Sequence, residues 1–251
     1  MSAMTLKSRL RELAPRRVRA HRILGGPLKG RVIVTSLHDY PGAVLGRTEG
    51  PLLEWFRTNI APGETWLDVG AHYGYTAIAM AESTGPRGLI YAFEPTLDTA
   101  ASVVKTIALN HLNNVSVVPL ALGSPGRLRI ETVAVDRGMA NHAFGGSASG
   151  QIFVVAFDEF WEAIGRRPIH GAKIDVQGME LDVLRGMTGM LSEHHPKLVI
   201  EFHAGVDRDE ILDLLRGAGY EFPGAAVDPA PDEATPAYRD DHSYAFKART
   251  D

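Results

Sequence analysis

Four short polar stretches each follow an apolar run, and together they hold the residue types that bind ligands and move protons. They are residues 68–74 (DVGAHYG), Glu94 with Pro95, residues 175–178 (DVQG) and residues 201–203 (EFH). Because each stretch follows a run with strand character, all four are expected at the carboxyl edge of one parallel sheet, where α/β folds bind ligands. The sequence therefore predicts a single site built from four strand tips.

The first stretch is a glycine-bearing turn between a strand and a helix. A dinucleotide site would need G-x-G-x-x-G, whose central glycine lets a pyrophosphate approach the backbone. His72 stands at that central position, so a pyrophosphate is disfavoured. Asp68 would repel a phosphate but can reach a cationic amino group, and Glu94 can accept hydrogen bonds from two ribose hydroxyls. A ligand with a ribose, a cationic amino-acid end and no phosphate is S-adenosylmethionine.

Proton transfer and metal binding have candidate residues on the same edge of the sheet. A hydroxyl that accepts a methyl group must lose its proton, and the candidate bases are His203 and Asp175, with His72 and His142 as weaker ones. Asp175, Glu201 and His203 could also hold a divalent cation. Because Glu201 could simply accept backbone hydrogen bonds, a metal is not expected to be required.

The elements around these stretches alternate between strand and helix. Strands are predicted at residues 31–37, 65–69, 89–93, 115–120, 171–176, 197–202 and 243–247, with another starting at Tyr220. Helices are predicted at residues 49–60, 74–83, 96–112, 159–165, 179–191 and 208–217. Thr96, Asp158 and Asp207 are the predicted helix caps. Three successive strand–helix repeats predict right-handed crossovers and a parallel sheet.

An insert at residues 124–157 interrupts this alternation. Residues 127–135 and 151–157 predict two strands, and the segment between them, residues 136–150, is rich in Gly, Ala and Ser. A loop of this length in a compact domain is usually functional or disordered, and a functional loop here is predicted to be a lid over the substrate. Residues 223–242 are rich in Pro, Ala and Asp and predict an exposed loop.

Length and composition restrict the class of protein. A chain of 251 residues that is 45% hydrophobic suits one large α/β domain. The absence of cysteine excludes disulfides and thiolate metal sites. No apolar run approaches the roughly 18–20 residues of a membrane span, and the N-terminus lacks the apolar core of a signal peptide. We therefore expect a cytoplasmic protein without a transmembrane segment.

The charge is unevenly distributed. Residues 1–31 hold nine Lys/Arg and one acid, Glu12, so their net charge is +8, and the rest of a chain of net charge −4 therefore carries −12. An acidic body binds nucleic acid poorly, so the expected partner is a small-molecule acceptor. Residues 1–48 are interpreted as a basic arm before a catalytic domain at 49–251, with a short helix at 5–20. The basic residues 1–31 could contact an acidic partner, lipid headgroups or the acidic body itself, and the simplest interpretation is a solvated, partly disordered leader. The sequence is also compatible with a homo-oligomer.

Five stretches resemble the FkbM-type family of class I S-adenosylmethionine-dependent methyltransferases. They are WLDVGAHYGYTAIA (66–79), IYAFEP (90–95), NVSVVPLALG (114–123), KIDVQGMELDVLRG (173–186) and LVIEFH (198–203). The pattern K-I-D-x-x-G-x-E-x-x-x-L-x-G in the fourth stretch is the most specific to the family. The family's usual acid in the centre of that pattern is here Gln177, which removes one negative charge.

This resemblance implies a Rossmann-like sheet of order 3-2-1-4-5-7-6, with one antiparallel strand and flanking helices. It also implies methyl transfer, most often to a hydroxyl of a small molecule, sugar or lipid-like metabolite. The implied cofactor-binding positions are Asp68, Gly70, Ala71, Tyr73, Gly74, Glu94, Ala121, Leu122, Asp175 and Gln177. Within this set the first turn would hold the methionine end, Glu94 the ribose and residues 121–122 the adenine, while Asp175 would face the reactive methyl group.

Two other classes of function stay open. A nicotinamide-dependent oxidoreductase could use a similar doubly wound sheet, although His72 disfavours its pyrophosphate. A non-catalytic cofactor-binding protein could retain the same fold, although the cluster of polar strand tips argues against it. Binding of NADH or of S-adenosylhomocysteine would separate the first alternative from a methyltransferase.

Overall fold

The structure is a computed structural model that describes residues 13–141, 150–231 and 233–249. Its strands are β1 (Arg19–Arg22), β2 (Val32–Thr35), β3 (Thr65–Val69), β4 (Leu89–Phe93), β5 (Val115–Val118), β6 (Ala121–Leu122), β7 (Arg129–Asp136), β8 (Met139–Asn141), β9 (Gly150–Val155), β10 (Gly171–Ile174), β11 (Lys197–Phe202), β12 (Ala225–Ala226) and β13 (His242–Phe246). Its helices are α1 (Pro41–Leu45), α2 (Gly50–Asn59), α3 (Tyr75–Thr84), α4 (Leu97–Leu109), α5 (Phe157–Ala163), α6 (Glu180–Arg185), α7 (Thr188–His194) and α8 (Arg208–Gly217).

The central sheet has the strand order β12-β13-β11-β10-β3-β4-β5. Numbered by themselves in chain order, these strands lie in the order 3-2-1-4-5-7-6. Within the described residues, β13 is antiparallel to both of its neighbours and the other neighbouring pairs are parallel. β3 and β10 are adjacent although they are distant in sequence, so the winding of the chain reverses between them. The crevice beyond their carboxyl ends is where folds of this kind bind ligands.

The central strands read as apolar runs because helices cover both faces of the sheet. Side chains alternate between the faces, so Leu67 and Val69 of β3 pack in one buried cluster and Trp66 packs in another. Asp68 has the same parity as Trp66 and is the direct cross-strand partner of Lys173 in β10. An ion pair therefore lies within an otherwise apolar pair of strands.

The predicted helix at 179–191 is wrong, because the chain forms two helices, α6 and α7, with a break between them. The break begins at Gly186, which packs directly against the backbone of Gly123. A Cβ atom added to Gly186 would lie 1.9 Å from the Gly123 carbonyl oxygen. This close contact with the insert depends on tertiary packing, which the helical periodicity does not reveal.

One of the three predicted helix caps, Asp158, is wrong. Asp158 lies inside α5, and its carboxylate accepts hydrogen bonds from the Gly189 and Met190 N–H groups, so it caps α7 instead. Thr96 does occupy the N-cap position of α4, although its side chain makes no capping hydrogen bond. Asp207 is confirmed, because its carboxylate accepts a hydrogen bond of 3.0 Å from the Glu210 N–H.

The segment before the first helix of the sheet domain is folded. β1 and β2 form a hairpin, and Ile23 and Ile33 are buried in the same cluster as Phe56 of α2. The Val34 N–H donates to the Thr106 hydroxyl of α4 at 2.9 Å. The interpretation as a solvated leader is therefore wrong for residues 19–31, whereas the division into units 1–48 and 49–251 stays a prediction.

Much of the predicted helix at 5–20 lies outside the described residues, since the description starts at residue 13, and residues 19–20 belong to β1. The predicted strand at Tyr220 is reduced to a single bridge with Ala248, and the edge strand is β12. In the described part of the chain, no helix has the length and apolar character needed to cross a membrane.

The insert forms a second small sheet of order β6-β9-β7-β8. β6 joins it to the central domain, since it follows β5 directly and pairs in parallel with β9. Residues 142–149, which include the weaker base candidate His142, lie outside the described residues. The predicted lid at 136–150 is therefore described only at its two ends.

Candidate active site

A cavity of about 280 Å³ opens at the carboxyl edge of the sheet, beside the neighbouring strands β3 and β10. Each of the four polar stretches contributes to its wall. The predicted residues that line it are Gly70, Ala71, His72, Glu94, Ala121, Leu122, Asp175, Gln177 and Glu201. The fold thus brings residues from four strand tips and from the start of the insert to one site.

Glu94 is fixed in the wall of the cavity by the backbone around it. Its two carboxylate oxygens accept hydrogen bonds from the His72 N–H at 3.0 Å and the Thr96 N–H at 2.9 Å. The residue is only 3% exposed, and burial raises the pKa of its carboxyl to about 8 in spite of these donors. Each oxygen keeps a further lone pair, so Glu94 can still accept hydroxyl hydrogen bonds from a ligand.

The glycine turn approaches β10 very closely. Gly70 has φ +82°, and a Cβ atom there would lie 1.8 Å from the Asp175 carbonyl oxygen, so only glycine fits. His72 donates through Nε2 to the Arg137 carbonyl at 2.9 Å, which ties the turn to the insert. Burial lowers the pKa of His72 to about 4, so its imidazole is neutral and a weak base.

Asp68 lies beneath the cavity rather than in its wall. It is fully buried, and its carboxylate accepts a hydrogen bond of 2.7 Å from the Thr76 hydroxyl. Its other oxygen lies 3.3 Å from the Lys173 ammonium. Any contact between Asp68 and a cationic group of a ligand would therefore compete with Lys173.

Tyr73 and Gly74 also lie outside the cavity wall. The Tyr73 hydroxyl donates to the Asp39 carboxylate at 2.8 Å, so this side chain anchors the N-terminal segment. Gly74 has φ +86° and immediately precedes α3, where a Cβ atom would lie 3.1 Å from Val103. Both residues shape the turn and do not line the space for a ligand.

Lys173 connects the first turn to β10, although no role was predicted for it from the sequence. Its ammonium lies 2.8 Å from the Gly70 carbonyl oxygen and 3.3 Å from a carboxylate oxygen of Asp68 and of Asp175. Burial opposes the charged form, but the two carboxylates outweigh it and raise the pKa of Lys173. A lone lysine inside an apolar strand was the available signal, since a buried charge needs a partner.

His203 lies immediately behind the wall that Asp175 and Glu201 form. Its Nε2 is 3.5 Å from a carboxylate oxygen of each of these residues and 2.9 Å from the Gln177 side-chain nitrogen. Its Nδ1 donates to the fully buried carboxylate of Glu180 at 2.7 Å. The Glu180 contact fixes the orientation of the ring, with Nε2 facing the strand tips.

The charges of this cluster are strongly interdependent. Burial opposes protonation of His203, but the hydrogen bond to Glu180 and the nearby carboxylates outweigh it and raise its pKa to about 9. Burial and the charge of Asp175 raise the pKa of Glu201 to about 8. For Asp175 itself, burial is outweighed by Lys173 and His203, so its pKa is lowered. At neutral pH the cluster therefore holds an ionised Asp175 beside a protonated imidazole.

The same cluster contains the candidate metal ligands. One ligand atom from each of Asp175, Glu201 and His203 lies within 4.8 Å of the others, which could hold a metal ion. A histidine that donates its second N–H to a carboxylate is also common among metal ligands. However, the Gln177 side-chain nitrogen lies 2.9 Å from Nε2, the atom that would bind the ion. The site fits a metal only if Gln177 turns away.

The N-terminal segment supplies part of the wall that the sequence did not predict. Asp39, Tyr40 and Glu49 line the cavity, and so does Tyr75 at the start of α3. Tyr40 packs edge-on against Tyr75, with ring centroids 6.1 Å apart. No local pattern identifies Asp39 and Tyr40, because the folding of residues 19–48 onto the domain brings them to the sheet edge.

Comparison with known proteins identifies the family. Residues 68–222, which are more than half of the chain, match the family model described as the methyltransferase FkbM domain. The chain belongs to the FkbM methyltransferase family. The matched region includes the four polar strand tips, whereas Asp39, Tyr40 and Glu49 precede it.

A curated relative of this FkbM protein is the hexuronic acid methyltransferase AglP of Haloferax volcanii. The two sequences are 29% identical over 154 residues, which represent 60% of this chain and 61% of AglP. The match therefore spans about three-fifths of the relative's length.

Solved structures also resemble this FkbM protein. An rRNA methylase from Streptococcus thermophilus superposes with a TM-score of 0.51 at 11% identity, over 82% of this chain and 99% of that one. An FkbM methyltransferase from Methylobacillus flagellatus KT gives a TM-score of 0.48 at 20% identity, over 77% of this chain and 50% of that one. The predicted α/β, Rossmann-like class I methyltransferase fold is confirmed.

Proposed function

We propose that this protein transfers the methyl group of S-adenosylmethionine to a hydroxyl of a small molecule, sugar or lipid-like metabolite. The observation that carries the proposal is one cavity with a buried carboxyl at one strand tip and a proton-binding cluster at another, separated by a glycine turn. The similarity to a hexuronic acid methyltransferase favours a sugar among these acceptors.

The proposed donor lies across the strand tips, with its adenine, ribose and methionine parts at successive strands. The ribose hydroxyls would donate to Glu94, and residues 121–122 would contact the adenine. The methionine part would cross the turn at Gly70 and Ala71, where the lack of a Cβ atom at Gly70 lets β10 and the turn close the floor. His72 occupies the position at which a dinucleotide site needs glycine, so a donor without phosphate suits this turn.

The proposed reaction is an in-line displacement. The acceptor oxygen forms a bond to the methyl carbon as the carbon–sulfur bond breaks, and the electron pair of that bond stays on sulfur, giving S-adenosylhomocysteine. The acceptor hydroxyl would donate to Asp175, which lines the cavity. Neutral His203, whose Nε2 is 3.5 Å from Asp175, would take up the proton. A metal is not needed for this step.

Two measurements on the whole protein test the proposal. Isothermal titration should show binding of S-adenosylhomocysteine and none of NADH. Transfer of radiolabel from S-adenosylmethionine should then be detected with hydroxyl acceptors, including neutral sugars and hexuronic acids. Binding of NADH alone would instead support an oxidoreductase. Tight binding of S-adenosylhomocysteine without transfer to any acceptor class would support a non-catalytic cofactor-binding protein.

A further inference from the structure

We propose that Glu49 and Tyr75 bind the amino-acid end of the methyl donor, with Glu49 accepting from its ammonium group and Tyr75 donating to its carboxylate. The segment that precedes the family match would then complete the cofactor site. This inference rests on the proposed function, because it assumes that the cavity holds S-adenosylmethionine or S-adenosylhomocysteine.

The order of the strands sets the direction of the donor. β5, β4, β3 and β10 are neighbours in that order, and residues 121–122 follow β5 while Glu94 follows β4 directly. A donor with its adenine and ribose at these two places therefore extends its amino-acid end across β3 toward β10. Glu49 lies on that side, since its carboxyl interacts electrostatically with Asp175, Lys173 and Asp68.

Tyr75 independently indicates that the cavity binds a ligand. Its side chain is 1% exposed and lines the cavity, and its hydroxyl has no hydrogen-bond partner among the described residues. An unpaired buried hydroxyl is costly, and a ligand in the cavity would satisfy it. Tyr75 is also the first residue of the ten-residue helix α3, whose N-terminus favours a negatively charged group nearby.

Glu49 offers the matching acceptor for a positive charge. Its carboxylate lines the cavity and accepts a hydrogen bond of 3.3 Å from the Thr48 hydroxyl. In the described ranges it forms no salt bridge with a lysine or arginine, and burial together with the charge of Asp175 raises its pKa. Lys173, the buried lysine with which Glu49 interacts electrostatically, already contacts Gly70, Asp68 and Asp175. An ammonium group from a ligand would therefore relieve this concentration of carboxylates.

Two ligands that differ only in the amino-acid part test the proposal by isothermal titration of the full chain. S-adenosylhomocysteine carries that part, and 5′-methylthioadenosine lacks it but keeps the adenine, ribose and sulfur. Glu49→Gln and Tyr75→Phe should each weaken binding of S-adenosylhomocysteine about 10-fold or more, and leave binding of 5′-methylthioadenosine within about twofold. Unchanged binding of 5′-methylthioadenosine also shows that each variant folds.

The matched control is Glu54→Gln, on the same helix as the Glu49 cap position but exposed and paired with Arg57. It should change neither affinity. The proposal is overturned if Glu49→Gln leaves the affinity for S-adenosylhomocysteine unchanged, or if both ligands lose affinity equally. Failure of the wild-type protein to bind either ligand would instead refute the proposed function itself.

Discussion

At the scale of single residues, the proton-binding cluster behind the cavity explains how a histidine could serve as a base without touching the acceptor. His203 is held by Glu180 on one side and faces Asp175 on the other, so its protonation state depends on these two carboxylates. Its raised pKa means that the imidazole is largely protonated at neutral pH and becomes able to take a proton only as the pH rises.

The pH dependence of methyl transfer tests this role. We expect kcat/KM to increase from pH 7 toward the pKa of His203, about 9, because the neutral imidazole is the active form. Glu180→Gln removes a negative charge that raises this pKa, so the increase should move to lower pH by about one unit or more. A profile that is flat between pH 7 and 9 would exclude His203 and leave ionised Asp175 as the base.

Lys173 is the residue whose loss should destabilise the fold most directly. Lys173→Met leaves the fully buried Asp68 and the partly exposed Asp175 without their shared cation, which should cost about 3–5 kcal/mol in the free energy of unfolding. Urea denaturation measures this change. Lys105→Met, at an exposed position of α4, is the control and should change the value by less than about 0.5 kcal/mol. Equal effects of the two substitutions would show that the buried ion pair contributes little.

Site residues at strand tips could be predicted from the sequence because the alternation of apolar strands and helices fixes where each strand ends. Glu94, Asp175 and Glu201 were found in this way, and all three line the cavity. Lys173 and Glu49 were not found. Lys173 is a charge inside an apolar strand, and Glu49 lies at the start of α2, away from the four strand tips.

At the scale of elements, helix boundaries also depend on tertiary contacts that the sequence pattern does not show. Periodicity located the helices but could not show that Gly186 packs against Gly123, which divides the predicted helix 179–191 in two. Asp158 has the residue type of a cap and does cap a helix, but the helix is α7, which lies about thirty residues later in the sequence. A local pattern shows that a side chain can cap a helix, and the tertiary structure decides which helix it caps.

The insert is the element predicted to cover the acceptor. Its described ends already contact the site, since the Arg137 carbonyl accepts from His72, and Met139 and Ala140 line the cavity. Replacing residues 142–149 with a short Gly-Ser linker should reduce kcat about tenfold or more, because the acceptor loses its enclosure. The affinity for S-adenosylhomocysteine, measured by titration, should stay within about twofold. Loss of both methyl transfer and S-adenosylhomocysteine binding would indicate a structural role for the segment.

At the scale of the whole molecule, the basic N-terminal segment packs against the acidic body over the described residues. The hairpin and α1 pack on α2 and α4, and the cavity takes part of its wall from this segment. The charge asymmetry that suggested a solvated leader therefore does not by itself show a separate unit. Methyl transfer to a hydroxyl remains the proposal that accounts for the family, the cavity and the cluster together.

Titration of S-adenosylhomocysteine into wild-type protein and the Glu94→Ala variant tests the central claim most directly. The measurement belongs at pH 8.5, where a carboxyl of pKa about 8 is mostly ionised. Loss of charge-assisted hydrogen bonds to the ribose, at about 1.5–3 kcal/mol each, predicts an affinity lower by about 10- to 100-fold or more. Equal affinities of the two proteins would contradict the assignment of this cavity as the methyl-donor site.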